Sequence, residues 1–284
     1  MSKKTKQRLM EFSFLVPALI VFFAIIVLPF IQGFPISFTD WDGMSPTRNF
    51  VGFNGYARVF TDKNVVNATK NTVLFTVLTV IFPNLLGLAI ALLISKSTRF
   101  NKFIRTFVFM PYCLSIVLAS IIWKYLYNDI LYGTFGVLSP LGRAEYAIYG
   151  ISVICIWATT GYCMTVYIAS IQSVPLENFE VAQLEGASRW QSFIHVTLPY
   201  IVPGITSNVT LLLAWGMKAY DYPMTATQGG PGRATETLSL LIYYNFFQYF
   251  RAGYGQALAI VFTIVISIIT LLVSRALRSQ EVEV

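Results

Sequence analysis

Apolar runs of nearly one length alternate with short polar stretches along this chain. They extend from about Phe12 to Phe34, Thr72 to Ile94, Phe107 to Tyr127, Ala147 to Ile171, Ile201 to Met224 and Tyr254 to Val273. Each has the ~20 residues that a helix needs to cross a bilayer at 1.5 Å per residue. In lipid, every backbone polar group must be satisfied within its own segment, so each run is predicted as a helix. The pattern therefore predicts an all-α integral membrane protein with six transmembrane helices. Pro29 and Pro35 punctuate the end of the first run, Pro83 and Asn84 lie near the centre of the second, and Pro111 and Tyr112 lie near the start of the third. The first run is too long for a cleaved signal peptide and no small-x-small cleavage site follows it, so it is kept as span one.

Composition agrees with this pattern. The 284 residues are 56% hydrophobic and only 12% charged, and their mean hydropathy is +0.64. Average soluble chains carry about twice that share of charge. The net charge of +7 gives orientation rather than nucleic-acid binding. Lys3, Lys4, Lys6 and Arg8 precede span one, Lys96, Arg99, Lys102 and Arg105 crowd the connection after span two, and Arg275 and Arg278 close the chain. Basic residues favour the cytoplasmic side, so both termini are expected there, with residues 1–11 forming a basic cytoplasmic tail and residues 12–284 the membrane domain. The loop from Asn128 to Glu145, nearly free of basic residues, is then external, as is the segment from Thr225 to Tyr254 with its Gly-Gly-Pro-Gly turn. Cys113, Cys155 and Cys163 all fall in apolar runs and read as small buried thiols.

One cytoplasmic stretch, residues 172–200, is polar enough for water yet patterned like packed structure. Pro175, Glu177 and Glu180 are helix-start signals, Gly186 suits a left-handed end, and Ser188 with Gln191 is a capping-box pair. The expected order is helix, glycine break, helix, with Pro199 and Pro203 stopping the second helix or turning it into span five. The first helix carries Glu177, Glu180 and Leu184 on one face and Leu176, Phe179 and Ala182 on another.

Glu180-Val181-Ala182, Gly186, Val196 and Leu198-Pro199 resemble the Glu-Ala-Ala loop of binding-protein-dependent ABC permeases. In that family the loop reads Glu-Ala-Ala, three residues, Gly, nine residues, Ile, one residue, Leu-Pro; Val181 and Val196 depart from it but stay apolar. The Asp40-Trp41 and Val51-Gly52-Phe53-Asn54 segments, the Gly-Gly-Pro-Gly turn and Gly253-Tyr254-Gly255 resemble maltose-type sugar permeases, so the resemblance covers nearly the whole chain. It implies the permease fold of ABC type I importers and a multi-pass protein of a bacterial or archaeal cytoplasmic membrane. It assigns Glu180, Ala182, Gly186, Ala187, Leu198 and Pro199 to coupling with an ATPase. The implied partners are a second homologous permease, two ATPase subunits, an extracytoplasmic solute-binding protein, a sugar and membrane lipid. ATP and Mg would sit on the ATPase, with no cofactor on this chain.

Elementary chemistry is compatible with that assignment. The chain lacks the Gly-x-x-x-x-Gly-Lys-Ser/Thr loop that would hold a nucleotide, and it carries neither a Gly-x-Ser-x-Gly nor a His-Glu-x-x-His motif, so it is not expected to be an enzyme. The single histidine, His195, suits packing or docking. A sugar path needs flat aromatic faces beside amides and hydroxyls, which Trp157, Thr160, Asn208, Trp215 and Tyr220 supply on the two spans that flank the loop. Lys218 and Asp221, three apart, either satisfy each other on one helical face or line the path. Two alternatives are a permease of the same kind for a non-sugar solute, such as glycerol phosphate or an amino acid, and an ion-coupled secondary carrier. The latter usually shows mid-span ionisable residues or paired broken helices, neither of which is clear here. The topology is tested with single cysteines in a background lacking the three native ones. Those at Ser97 and Gln183 should be labelled only from the cytoplasm and one at Gly232 only from outside; same-side labelling of Gln183 and Gly232 would break the six-span arrangement.

Overall fold

The computed structural model describes residues 3–279, with side chains from Phe12 onward; residues 1, 2 and 280–284 lie outside the described residues, and so do the side chains of the basic tail. All regular elements among the described residues are helical apart from one isolated antiparallel bridge, Thr39 to Phe50. In order the helices are α1 (Phe12–Phe38), α2 (Asn54–Thr61), α3 (Lys63–Ile94), α4 (Arg99–Cys113), α5 (Ile116–Phe135), α6 (Ala147–Gln172), α7 (Leu176–Leu184), α8 (Arg189–Met217), α9 (Asp221–Thr227), α10 (Leu238–Phe247) and α11 (Ala252–Arg278). Five of these, α1, α3, α6, α8 and α11, are long and apolar enough to span a membrane, and a sixth span results if α4 and α5 count together.

The third span departs from a straight helix. α4 and α5 meet at 100° across Leu114 and Ser115. Pro111 lies in a tight turn that closes α4, and Ser115 starts α5 afresh by accepting the Leu118 N–H at 3.2 Å. Helix also begins earlier than apolarity predicts. α4 starts at Arg99, inside what reads as a basic loop, capped by the Thr98 hydroxyl, which accepts the Asn101 N–H at 3.1 Å. Cys155 and Cys163 are buried as expected, but Cys113 is exposed, because it sits on the turn that ends α4.

The chain forms two compact units, residues 1–62 with 242–262 and residues 63–241 with 263–284. The first holds α1, whose apolar side chains are exposed along its length. It also holds the folded loop after α1, where Phe38 packs against Phe34, Phe50, Phe53 and Tyr56 at centroid distances of 5.3–6.4 Å. Asp42 accepts hydrogen bonds from the Ser45 hydroxyl (2.6 Å), the Ser45 N–H (2.8 Å) and the Met44 N–H (2.9 Å), which hold its carboxyl down at about 2. In the same unit Tyr254 donates to Asp62 at 3.0 Å under the Arg58 guanidinium, which lies 4.7 Å from the ring centre.

In the second unit α6 is the central helix, buried on nearly all sides between α3, α4 and α8. Close approach explains this. A Cβ on Gly87 of α3 would lie 2.7 Å from Cys163 Cβ and 2.8 Å from the Met164 nitrogen of α6, and one on Gly161 of α6 would overlap the Val108 carbonyl oxygen of α4. Small residues at such crossings let helix backbones meet where lipid supplies no hydrophobic drive. The hydroxyls of Thr72, Thr76 and Thr79 on α3 each donate to the carbonyl four residues back at 2.7–2.8 Å, so none is left unpaired in the core. α3 runs through Pro83, and Asn84 beside it donates to the Val80 carbonyl at 2.6 Å and accepts from the Tyr167 hydroxyl of α6. Gly87→Val should force α3 from α6 and cost about 1–3 kcal/mol, read as a lower melting temperature of the purified chain. Gly133→Ala, which meets nothing within 4 Å, should leave that temperature unchanged.

Candidate functional site

Two features stand at opposite ends of α6 and α8. The first is the connection between these helices, built as the capping residues dictate. Pro175 precedes α7 and Glu177 lies in its first turn. α7 ends where Gly186 takes φ +75°, with the Gly186 N–H on the Gln183 carbonyl (3.1 Å) and the Ala187 N–H on the Ala182 carbonyl (2.9 Å). Left-handed backbone is strained for any residue with a side chain. Ser188 then opens α8 with both halves of the capping box: its N–H donates to Gln191 Oε1 at 2.8 Å, and its Oγ accepts the Gln191 N–H at 3.3 Å.

α7 is held in place by Asn178, which donates to the Tyr200 hydroxyl at 3.0 Å. Asn178, Ala182, Gly186, Ala187, His195 and Tyr200 border a cleft of about 540 Å³ between α7 and α8. Glu177, Glu180 and Leu184 face outward together, and Phe179 and Ala182 are half-buried. Leu176, expected beside these last two, is instead exposed, as are Leu184 at 88% and Trp190. Leu198 and Pro199 lie inside α8. Contrary to the expected stop, the helix runs through Pro199 and Pro203. A wider turn at Phe193–Thr197 takes up the backbone just before Pro199.

The second feature is a cavity of about 640 Å³ at the other end of these helices, reached by Thr79 of α3, Tyr112 at the α4–α5 break, Cys155 and Thr159 of α6, Trp215 of α8, and Lys218, Tyr220, Asp221 and Tyr222 beyond it. Trp215 is 41% exposed, and its ring lies 6.1 Å from Tyr162, which stacks on Tyr112 at 5.3 Å. Of the residues expected on a path, Trp215 and Tyr220 line this cavity, and Trp157, Thr160 and Asn208 do not. Trp157 packs edge-on against Trp123 at 5.8 Å, the Thr160 hydroxyl donates to the Ile156 carbonyl at 2.7 Å, and the fully buried Asn208 donates to the Cys163 carbonyl at 3.4 Å.

Lys218 and Asp221 do not share a helix: α8 ends at Met217, α9 begins at Asp221, and the two side chains form no ion pair among the described residues. Tyr112, Tyr222, Thr79 and Thr159 were not singled out from sequence, although the Pro111-Tyr112 pair marked the break that turns Tyr112 inward. Among the described residues no three His, Cys, Asp or Glu side chains gather as a metal site would require.

A helical membrane domain with a structured loop between two central spans and an aromatic-lined cavity at their far end is built as a transport component. The chain belongs to the family of binding-protein-dependent transport system inner membrane components, whose description matches residues 83–281. It is 30% identical to the multiple sugar-binding transport system permease protein of Streptococcus mutans, covering 99% of both chains. It is also 30% identical to the trehalose/maltose transport system permease protein of Thermococcus litoralis, covering 93% of this chain and 92% of that one. Its fold superposes with a TM-score of 0.83, at 24% identity and over 98% of both chains, on the crystal structure of a bacterial ABC transporter involved in the import of the acidic polysaccharide alginate. The chain is thus a membrane permease and not an enzyme.

The turn between α7 and α8 can be tested by itself. Gly186→Val places a β-branched residue at φ +75°, at a cost of about 1–2 kcal/mol. Amide exchange over residues 176–192 should become faster, whereas Gly142→Val, with open space around it, should leave exchange in its own segment unchanged.

Proposed function

We propose that this chain is one half of the membrane pore of an ATP-driven importer for a sugar or oligosaccharide. A second, homologous permease completes the pore, two ATPase subunits carry ATP and Mg, and an extracytoplasmic solute-binding protein delivers the substrate. The observation that carries this reading is the placement of α7. It is a short, pinned helix with exposed Glu180, Leu184 and Leu176, and it joins the two helices whose far ends line the cavity. A docked ATPase that displaces α7 would move α6 and α8 with it. Glu180, Ala182, Gly186 and Ala187 form the docking turn, and Leu198 and Pro199 root it in α8.

The sugar class is supported by the cavity and by the names of the relatives. Trp215 offers a flat face, and Tyr112, Tyr220, Thr79 and Thr159 surround it with hydroxyls. In this reading Trp157, Thr160 and Asn208 support the path from behind, through packing. Membership of the family disfavours an ion-coupled carrier.

The test reconstitutes the permease with its partners in vesicles supplied with loaded binding protein. ATP on the ATPase side should drive sugar uptake and ion gradients should not. Trp215→Ala should lower uptake at limiting sugar by roughly fivefold, the loss of about 1 kcal/mol of ring contact, with the ATPase still bound. Glu180→Ala should weaken ATPase co-elution or raise ATP consumed per sugar. Uptake driven by a proton or sodium gradient without ATP would overturn the proposal.

A further inference from the structure

We propose that the start of α4 is a binding site for the headgroup of an anionic phospholipid in the inner leaflet. The inference rests on the placement of this end of the bundle at the cytoplasmic side. Phe100, Phe103 and Phe107, at spacings of three and four, form one exposed arc of α4, at 71%, 69% and 64% exposure. Arg99 and Lys102 lie along its edge, with Lys96 just before the helix, and all three are exposed. The adjoining arc, with Ile104 and Val108, packs into the core against α6.

Among the described residues the charge on this surface has no acidic partner. From Lys63 to Asn128 there is no Asp or Glu. Among the described residues Lys96, Arg99 and Lys102 form no ion pair. The positive end of the α4 dipole points the same way and adds to the field. Arg105, the fourth cation of the cluster, is engaged elsewhere: its guanidinium donates to the carbonyls of Ile94 (2.7 Å), Ser95 (2.7 Å) and Lys96 (3.2 Å), which closes the end of α3. Among the described residues, three cations and a helix terminus therefore face outward without a counter-charge.

Depth identifies the anion. Val108 and Phe109 abut Gly161, which lies eleven residues, or about 16 Å, up α6 from Gln172. Gln172 itself donates to the Ser95 carbonyl at 2.8 Å, so the basic residues sit level with the end of the span. The phenylalanine arc climbs from there toward mid-membrane. A ligand with a negative group at the interface and apolar chains directly above it is an anionic phospholipid; Lys and Arg at such a surface each add measurably to its attraction.

The test uses the full-length chain in phosphatidylcholine vesicles with and without phosphatidylglycerol, and reads the lipid retained after detergent extraction by native mass spectrometry. The unmodified chain should retain phosphatidylglycerol over phosphatidylcholine. Arg99→Gln with Lys102→Gln should lower that preference roughly tenfold. Arg99→Lys with Lys102→Arg should restore it, and size-exclusion profiles confirm that each variant is folded. Arg275→Gln with Arg278→Gln removes equal charge from the other basic end and should leave the preference in place. An equal fall in both neutralised pairs would mean general surface charge and overturn the site. So would an unchanged preference in the Arg99/Lys102 pair, or a loss of ATPase co-elution in that pair with lipid retention intact, which would assign the cluster to a protein partner. Lipid retention is read without transport, so a failure of the sugar assignment would leave this result standing, and the reverse.

Discussion

Within a bilayer an apolar side chain gains nothing by leaving lipid for another helix, so the second unit depends on how closely α6 can be approached. Gly87 and Gly161 are where that approach is made, one toward α6 from α3 and the other from α6 toward α4. At both points the neighbour is backbone or Cβ, which cannot swing aside as a long side chain would. Close packing of this kind makes α3, α4, α6 and α8 a body in which displacement of one helix is felt by the next. The threonine hydroxyls of α3 and the Asn84–Tyr167 pair are satisfied inside that body, whereas Asn208 Oδ1 and Thr210 Oγ1 of α8 are buried there without a hydrogen-bond partner among the described residues.

The working geometry follows from this packing. α6 runs unbroken from Ala147 to Gln172, so it offers no hinge to absorb a push at its loop end, whereas α8 carries the wider turn at Phe193–Thr197 between the loop and Pro199. The 17 residues between Cys155 at the cavity and Gln172 at the loop correspond to about 26 Å of continuous helix. The α7 turn is held at several points: the Gly186 and Ala187 N–H groups close the reversal onto α7 carbonyls, the capping box fixes the start of α8, and Asn178 ties α7 to Tyr200. A flexible connector would dissipate the movement that this one can pass on. A sharp bend in the bundle lies at the α4–α5 break, where Tyr112 meets the cavity.

Much of this was legible in the sequence because its causes are local. Twenty-residue apolar runs need only lipid and backbone hydrogen bonds to become spans, and Gly186, Ser188 and Gln191 act on atoms within a few residues. What was not legible has causes that are distant or compete with apolarity. α3 begins at Lys63, well before its apolar run, because Asn71 donates to the carbonyls of Arg233 and Glu236 and so orders the polar first turns. α4 begins among basic residues because its signal is a three-and-four spacing of phenylalanines, which a count of charges conceals. Pro199 and Pro203 read as stops or as a turn into span five, yet the helix runs through both: Pro199 follows a wider turn that can accept its missing N–H, and Pro203 lies inside the helix. Cavity lining is a matter of which way a side chain turns, and packing decides it: Trp215 and Trp157 are alike in sequence context, but one faces the cavity and the other meets Trp123.

The end of α8 shows how a local break changes the chemistry available to the site. On one continuous helix Lys218 and Asp221 would share a face and neutralise each other. The helix instead stops at Met217, and each charge meets a helix end of opposite sign. Lys218 stands at the carbonyl end of α8 and Asp221 in the first turn of α9. Helix ends stabilise such charges by about 0.3–1 kcal/mol without consuming their hydrogen-bonding capacity. Both side chains therefore stay exposed at the cavity, a cation with three donors and a carboxylate that only accepts, beside the flat face of Trp215. A solute with an apolar ring face and hydroxyls on its rim can use all three at once, which an ion pair formed on a single helix would not permit.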